Sequence, residues 1–261
     1  MTVFPPGTFT PAPGRGSSAR MLRTHARVEA SLTLRNGEQI LLTLLIPLAL
    51  LIGLSLLNIL PASQLGSTSK VDWITPRILA LAVMSSAFTG QAIALGFDRR
   101  YGVLKRLSAT ALPRWLLVVG RLVAALVVVA LQVVVIGVVA ALLGWSPSAS
   151  GLVSAVLLLI VGTLAFGALG VLLGGALRAE AVLALANIIW FVLLLAGGIL
   201  LAPSVLPGGV AVVVELLPSG ALAEGMRAAL VDGHFALGPV AVLAAWAAGA
   251  GLVAAKTTRV T

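Results

Sequence analysis

Residues 115–145 read WLLVVGRLVAALVVVALQVVVIGVVAALLGW. Trp115 and Trp145 bracket the apolar run Leu116–Leu143 and stand thirty residues apart. At about 1.5 Å per residue that is roughly 45 Å of helix, close to the thickness of a bilayer with its headgroups. Tryptophan is favoured at both membrane interfaces. The stretch reads as one membrane-spanning helix.

Working outward, five more runs have the same character: Ile40–Leu60, Ile78–Phe97, Gly151–Leu177, Ala181–Ala202 and Ala236–Ala255. About twenty apolar residues cross roughly 30 Å of hydrocarbon, so each qualifies. The chain of 261 residues is 60% hydrophobic and 10% charged. A soluble domain carries about 25% charged residues, so this chain cannot cover a soluble surface. The expected fold is all-α, a polytopic membrane domain of six helices over residues 39–261. No soluble stretch is long enough for a second core.

The net charge is +9, but its distribution argues against nucleic acid. A nucleic-acid footprint is a contiguous basic face; here the basic residues fall between the apolar runs. Fourteen of the 17 lie in the N-terminal region, the Asp98–Arg121 loop, Arg178 and the C-terminal tail. The other three are Lys70, Arg77 and Arg227. Under the positive-inside rule both termini are cytoplasmic, in agreement with an even number of spans. Residues 1–18, rich in Pro and Gly, read as a disordered tail. Residues 19–38 read as an amphipathic interfacial helix, with Arg20, Arg23 and Arg27 on one face and Met21, His25, Val28 and Leu32 on another. The chain has no cysteine, which excludes disulfides and thiolate chemistry. His25 and His234 fall on opposite sides of the membrane in this topology, so they cannot share a metal.

The cytoplasmic loop 98–115 reads DRRYGVLKRLSATALPRW. Helical spacing puts Tyr101, Leu104 and Leu107 on one face, flanked by Arg100 and Arg106. Such a helix can seat its apolar residues on a partner protein and offer its arginines to acids there. A basic loop can equally fix topology and bind anionic lipid. The sequence resembles the permease subunit of a type-2 ABC exporter, the class that includes daunorubicin and tetronasin exporters. The resemblance rests on Asp98, Arg99, Gly102, Val103, Leu104, Leu107, Thr110, Leu112 and Pro113, and extends over the leading helix, the spans and the last exoplasmic loop. It implies that the loop (Asp98, Arg99, Arg100, Tyr101, Gly102, Leu104, Arg106, Leu107 and Pro113) docks on an ATPase subunit and transmits its movement.

Residues 203–235 are long for a connection and too apolar for a plain loop. Ser219 is a candidate cap for a helix with Leu222, Met226, Ala229 and Leu230 on one side and Glu224 and Arg227 on another. The family resemblance implies a pair of short exoplasmic helices here. The six spans are expected to be free of Asp, Glu, Lys and Arg, with Arg121 counted in the loop, and their notable polar residues are uncharged; Asn58, Ser86 and Thr163 are among them. Ser85, Thr89, Gln91, Gln132 and Asn187 are the candidates for a substrate path, although such residues more often join helices. Gly170 and Gly174 form a Gly-x-x-x-Gly step suited to close helix packing.

No Gly-x-x-x-x-Gly-Lys-Ser/Thr loop occurs, so ATP is not bound by that route. The spans also carry no ion-coupling carboxylate of the usual kind. No catalytic site is expected, and no cofactor or metal on this chain; ATP with Mg belongs to a separate motor subunit. The leading expectation is an exporter permease in the plasma membrane, paired with an ABC-type ATPase and a second permease, identical or similar. The cargo is expected to be hydrophobic or amphipathic, a drug, antibiotic or lipid, which would place the chain in drug efflux and antibiotic resistance. The alternatives are an ion-coupled carrier and, less well supported, a membrane enzyme.

Overall fold

The long apolar runs leave the backbone only one way to satisfy its polar groups in lipid, within helices. A computed structural model describes residues 16–57, 68–110 and 112–257, and the regular elements among them are all helical. They are α1 (Ser18–Arg35), α2 (Gly37–Leu56), α3 (Lys70–Arg100), α4 (Val103–Ser108), α5 (Arg114–Leu142), α6 (Leu152–Ala176), α7 (Ala179–Ala196), α8 (Gly208–Leu216), α9 (Pro218–Leu230) and α10 (Leu237–Thr257). Five of these, α3, α5, α6, α7 and α10, are long and apolar enough to cross a membrane. The pair α8–α9, bent by 91°, would make a sixth if it counted as one span. In α2 the apolar stretch is Thr43–Leu56. The end of the expected first span, with Asn58, lies outside the described residues, as do residues 1–15 of the tail.

α3 is the central helix. Its most apolar window is 83% buried, against 17–44% for the other four. Around it stand α2, α5, α6, α7 and α9. The close approach of α6 needs glycine at two positions. A Cβ on Gly170 would lie 2.8 Å from the Phe88 carbonyl oxygen, and one on Gly174 2.5 Å from that of Ala92. The Gly-x-x-x-Gly step is therefore a packing surface for α3. Gly174→Val should force α3 and α6 apart and destabilise the protein by about 1–3 kcal/mol, the usual cost of overpacking. Thermal unfolding in detergent measures it; an unchanged midpoint would refute the contact.

The structure corrects four expectations about helix ends, faces and charge. α3 starts at Lys70, not Ile78, because Ser69 caps it: its Oγ accepts from the Asp72 N–H at 3.1 Å. The helix therefore carries Arg77, which is 2% exposed. Arg121 likewise sits inside α5 and is buried, so the expectation of charge-free spans fails at both arginines. Both have carboxylate partners from elsewhere in the chain. α1 packs along α5 through His25 and Ala26, while Val28 and Leu32, expected on its apolar face with His25, are exposed. Ser219 is no cap; α9 begins with Pro218 at its first turn, and Ser219 is buried inside the helix.

Candidate transport site

Halfway along α3 the helix widens into a π turn over Met84–Gly90. Such turns are rare and recur at functional sites. Here it faces a cavity of about 490 Å³ between α2, α3 and α7. Ser85, Thr89 and Asn187 line it, with Asn36 from the α1–α2 junction, Thr43 from α2 and Trp190. The Trp190 indole N–H donates to Ser85 Oγ at 2.8 Å, and Ser85 Oγ donates in turn to the Leu81 carbonyl. Asn187 Nδ2 donates to the Leu183 carbonyl at 2.8 Å. The buried Thr89 hydroxyl has no partner among the described residues.

Three of the five path residues expected from sequence thus meet in one cavity. The other two do not line it. Gln91 is buried in α3. Gln132 lies one step back on α5, donating from Nε2 to the Thr43 carbonyl at 3.3 Å, with its Oε1 unpartnered among the described residues.

At the end of the bundle that carries the 98–115 loop, Gly102 takes φ 69°, a left-handed conformation natural only to glycine, and turns the chain from α3 into α4. The charged residues around this corner are largely committed to the permease itself. Asp98 accepts from Arg121 Nη2, and Arg121 also lies 4.0 Å from Glu29 of α1. Arg99 Nη1 donates to the carbonyls of Gly174 (3.0 Å) and Leu177 (3.1 Å), satisfying the C-terminal end of α6. Arg100 pairs with Glu180 at the start of α7. Leu104 is buried against Leu95, Val171 and Ala254. The expected single apolar face is therefore split: Leu104 turns inward, Leu107 is half-buried and Tyr101 is exposed. What the loop offers outward is Tyr101, stacked on Phe97 at 6.0 Å, with Lys105 and Arg106. Pro113 precedes α5 as its cap.

At the opposite end α8 and α9 form a bent helix pair. Leu222, Met226, Ala229 and Leu230 are all buried, as their spacing predicts. Glu224 on the other side accepts from Arg77 Nη2 at 2.7 Å and from Arg227 Nε at 2.7 Å, and Arg227 Nη1 donates to Asp232 at 2.8 Å. Hydrogen bonds from Ser148 N–H to the Leu230 carbonyl (2.8 Å) and from Ser150 Oγ to that of Gly233 (3.0 Å) tie the pair to the α5–α6 turn. Sequence reasoning missed Arg77 and Arg121. By sequence Arg121 falls in the loop that begins at its partner Asp98, and Arg77 falls outside the spans because its carboxylate lies 147 residues away.

A comparison with curated proteins finds no match. The family profile described as ABC-2 type transporter matches residues 22–231, a stretch that takes in most of α1, the 98–115 loop, the π turn and the bent pair. The chain belongs to the ABC-2 type transporter family of membrane permeases.

Proposed function

We propose that the chain is the membrane subunit of an ATP-driven exporter, working with a separate ABC-type ATPase and a second permease of the same or a similar kind. The family match over residues 22–231 carries this reading. The cavity at the π turn supports a hydrophobic or amphipathic cargo, since its few polar groups are uncharged and Ile46, Ile93 and Leu183 complete its lining. The exposed side of the cytoplasmic loop, Tyr101 with Lys105 and Arg106, is the proposed contact with the ATPase, and the inward Leu104 is the link from that contact to the helices. The buried arginines do not favour an ion-coupled carrier. Arginine stays charged at every relevant pH and releases no proton for coupling.

The proposed topology has six spans, α2, α3, α5, α6, α7 and α10, with α1 at the cytoplasmic interface and α8–α9 outside. The basic residues support it. Arg99, Arg100, Arg121 and Arg178 cluster at the end that carries α4 and the α6–α7 turn, away from α8–α9. The chain lacks cysteine, so Ala109→Cys and Ser204→Cys, both at exposed positions, are clean probes. An impermeant thiol reagent should label Ser204→Cys in intact cells and Ala109→Cys only after permeabilisation. Labelling of Ala109→Cys from outside would reverse the topology. Transport itself is tested by reconstitution. The purified chain alone should show neither ATP hydrolysis nor gradient-driven uptake, and co-expression with its ATPase should restore ATP-dependent transport. Gradient-driven uptake by the chain alone would overturn the reading.

A further inference from the structure

A second cavity of about 500 Å³ opens at the cytoplasmic end, between the α3–α4 corner and the α6–α7 turn. Arg99, Arg100, Lys105 and Arg178 line it, against one carboxylate, Glu180. Arg178 is exposed, and its guanidinium has no hydrogen-bond or ion-pair partner among the described residues. The Arg100–Glu180 pair is exposed too, so an incoming anion can replace Glu180 at little cost.

The two cavities share the same helix faces. On α3, Ser85, Thr89 and Ile93 line the cavity at the π turn, and Gly96 and Arg100 line the cytoplasmic one. On α7, Leu183, Asn187 and Trp190 line the first and Glu180 the second. Steps of three and four residues keep each set on one side of its helix. Thr89 and Arg100 are eleven residues apart, roughly 16 Å along the axis. One seam between α3 and α7, packed at Gly96 against Val182 and Ala179, thus has a cationic mouth at one end and, in line with it, a largely apolar chamber with the Thr89 hydroxyl, unpartnered among the described residues.

We infer that this seam takes an amphiphile with an anionic head, a phosphate or carboxylate on an alkyl or otherwise apolar body. The inference rests on the transport reading above and narrows its cargo. Arginine recognises such heads through charge-assisted, often bidentate hydrogen bonds, which a cationic or neutral amphiphile cannot accept. The mouth is concave, which suits a small head group; the exposed tip of the loop, Tyr101 and Arg106, is the surface left for a protein partner.

The test uses the full chain in phosphatidylcholine nanodiscs and three photo-crosslinking probes with one alkyl chain carrying a terminal diazirine. Their heads are phosphate, trimethylammonium and hydroxyl. The alkyl phosphate should label peptides containing Thr89–Ile93 or Leu183–Trp190 several-fold more than the other two. Arg100→Gln with Arg178→Gln should lower that labelling about tenfold, the loss of two charge-assisted contacts. Glu180→Gln should raise it, because the competing carboxylate is gone, a change that a merely structural role would not produce. Arg100→Glu with Arg178→Glu should transfer the preference to the ammonium probe. Adding phosphatidylglycerol to the nanodisc distinguishes sources: competition points to a bilayer lipid and no competition to a free amphiphile, and both support an anionic head.

Equal labelling by all three probes, or labelling indifferent to both arginines, would overturn the inference. So would full competition by inorganic phosphate, which would mark a head-group site without a seam. If the double glutamine variant keeps its labelling but loses its ATPase, the mouth is a docking site and the inference also fails. Co-purification of the ATPase and ATP hydrolysis are measured apart from labelling. Selective labelling without a motor would refute the exporter reading alone.

Discussion

Glu224→Ala should destabilise the folded permease by about 3–5 kcal/mol, the usual cost of stranding one partner of a buried ion pair. The partner is Arg77, 2% exposed and held on three sides. Nη2 donates to Glu224, Nη1 donates to the Trp73 carbonyl at 3.0 Å, and Cζ lies 3.9 Å from the centre of the Trp73 ring. The Nε has no partner among the described residues. Without Glu224 the guanidinium keeps one hydrogen bond and an aromatic face, too little to replace a carboxylate in a medium that water barely reaches. Arg77→Met with Glu224→Ala should recover most of the loss, because the charge that the low dielectric penalises is gone. Thermal unfolding of the detergent-solubilised single and double variants closes the cycle. If Glu224→Ala unfolds at the parental temperature, the pair is not the anchor that the structure implies. The same pair fixes α9 to α3, so any movement of the bent helices must carry Arg77 with it or break the contact.

The helices were legible because hydrocarbon demands long apolar runs, and such runs have few competing readings. The packed side of α9 was legible for a similar reason: Leu222, Met226, Ala229 and Leu230 recur at helical spacing and are all buried. The start of α3 was not. Hydropathy falls at Asp72 and Arg77; the helix starts there on a local cap, Ser69 on Asp72, and its buried charge is met by a tertiary partner, Glu224 on Arg77. The π turn was equally invisible, since MSSAFTG differs little from an ordinary stretch of transmembrane helix. Of the path candidates, Ser85 and Thr89 share a cavity with Asn187 through a helix contact that periodicity cannot supply; Gln91 sits only two residues beyond Thr89 and is left out. Spacing put Leu104 on one face with Tyr101 and Leu107, a face the structure splits, and could not say whether it met the chain's own helices or another protein.

That last ambiguity decides how the loop must be tested. Leu104→Asp should lower membrane abundance and the unfolding temperature of the permease before any partner is present. Leu104 is 7% exposed among Leu95, Val171 and Ala254. Truncating such a leucine alone costs about 2–5 kcal/mol, and a carboxylate adds the penalty of an unpaired buried charge. The variant therefore cannot report on docking. Tyr101→Ala with Arg106→Ala can, because Tyr101 is 65% exposed and Arg106 makes only a 3.3 Å bond to the Tyr101 carbonyl. If the tyrosine is buried on assembly, its loss removes about 1.5–3 kcal/mol of apolar stabilisation, and an exposed arginine adds about 0–1 kcal/mol. The affinity for the ATPase should fall about ten- to several-hundred-fold at unchanged abundance and unfolding temperature. Co-purification with the ATPase and stimulated hydrolysis measure the effect, with the unfolding temperature of each variant as control. A Leu104→Asp protein of parental stability would show that α4 is not seated on α6 and α10 as the structure has it. A Tyr101→Ala, Arg106→Ala protein that keeps its motor and its stimulated turnover would move the coupling contact off this loop.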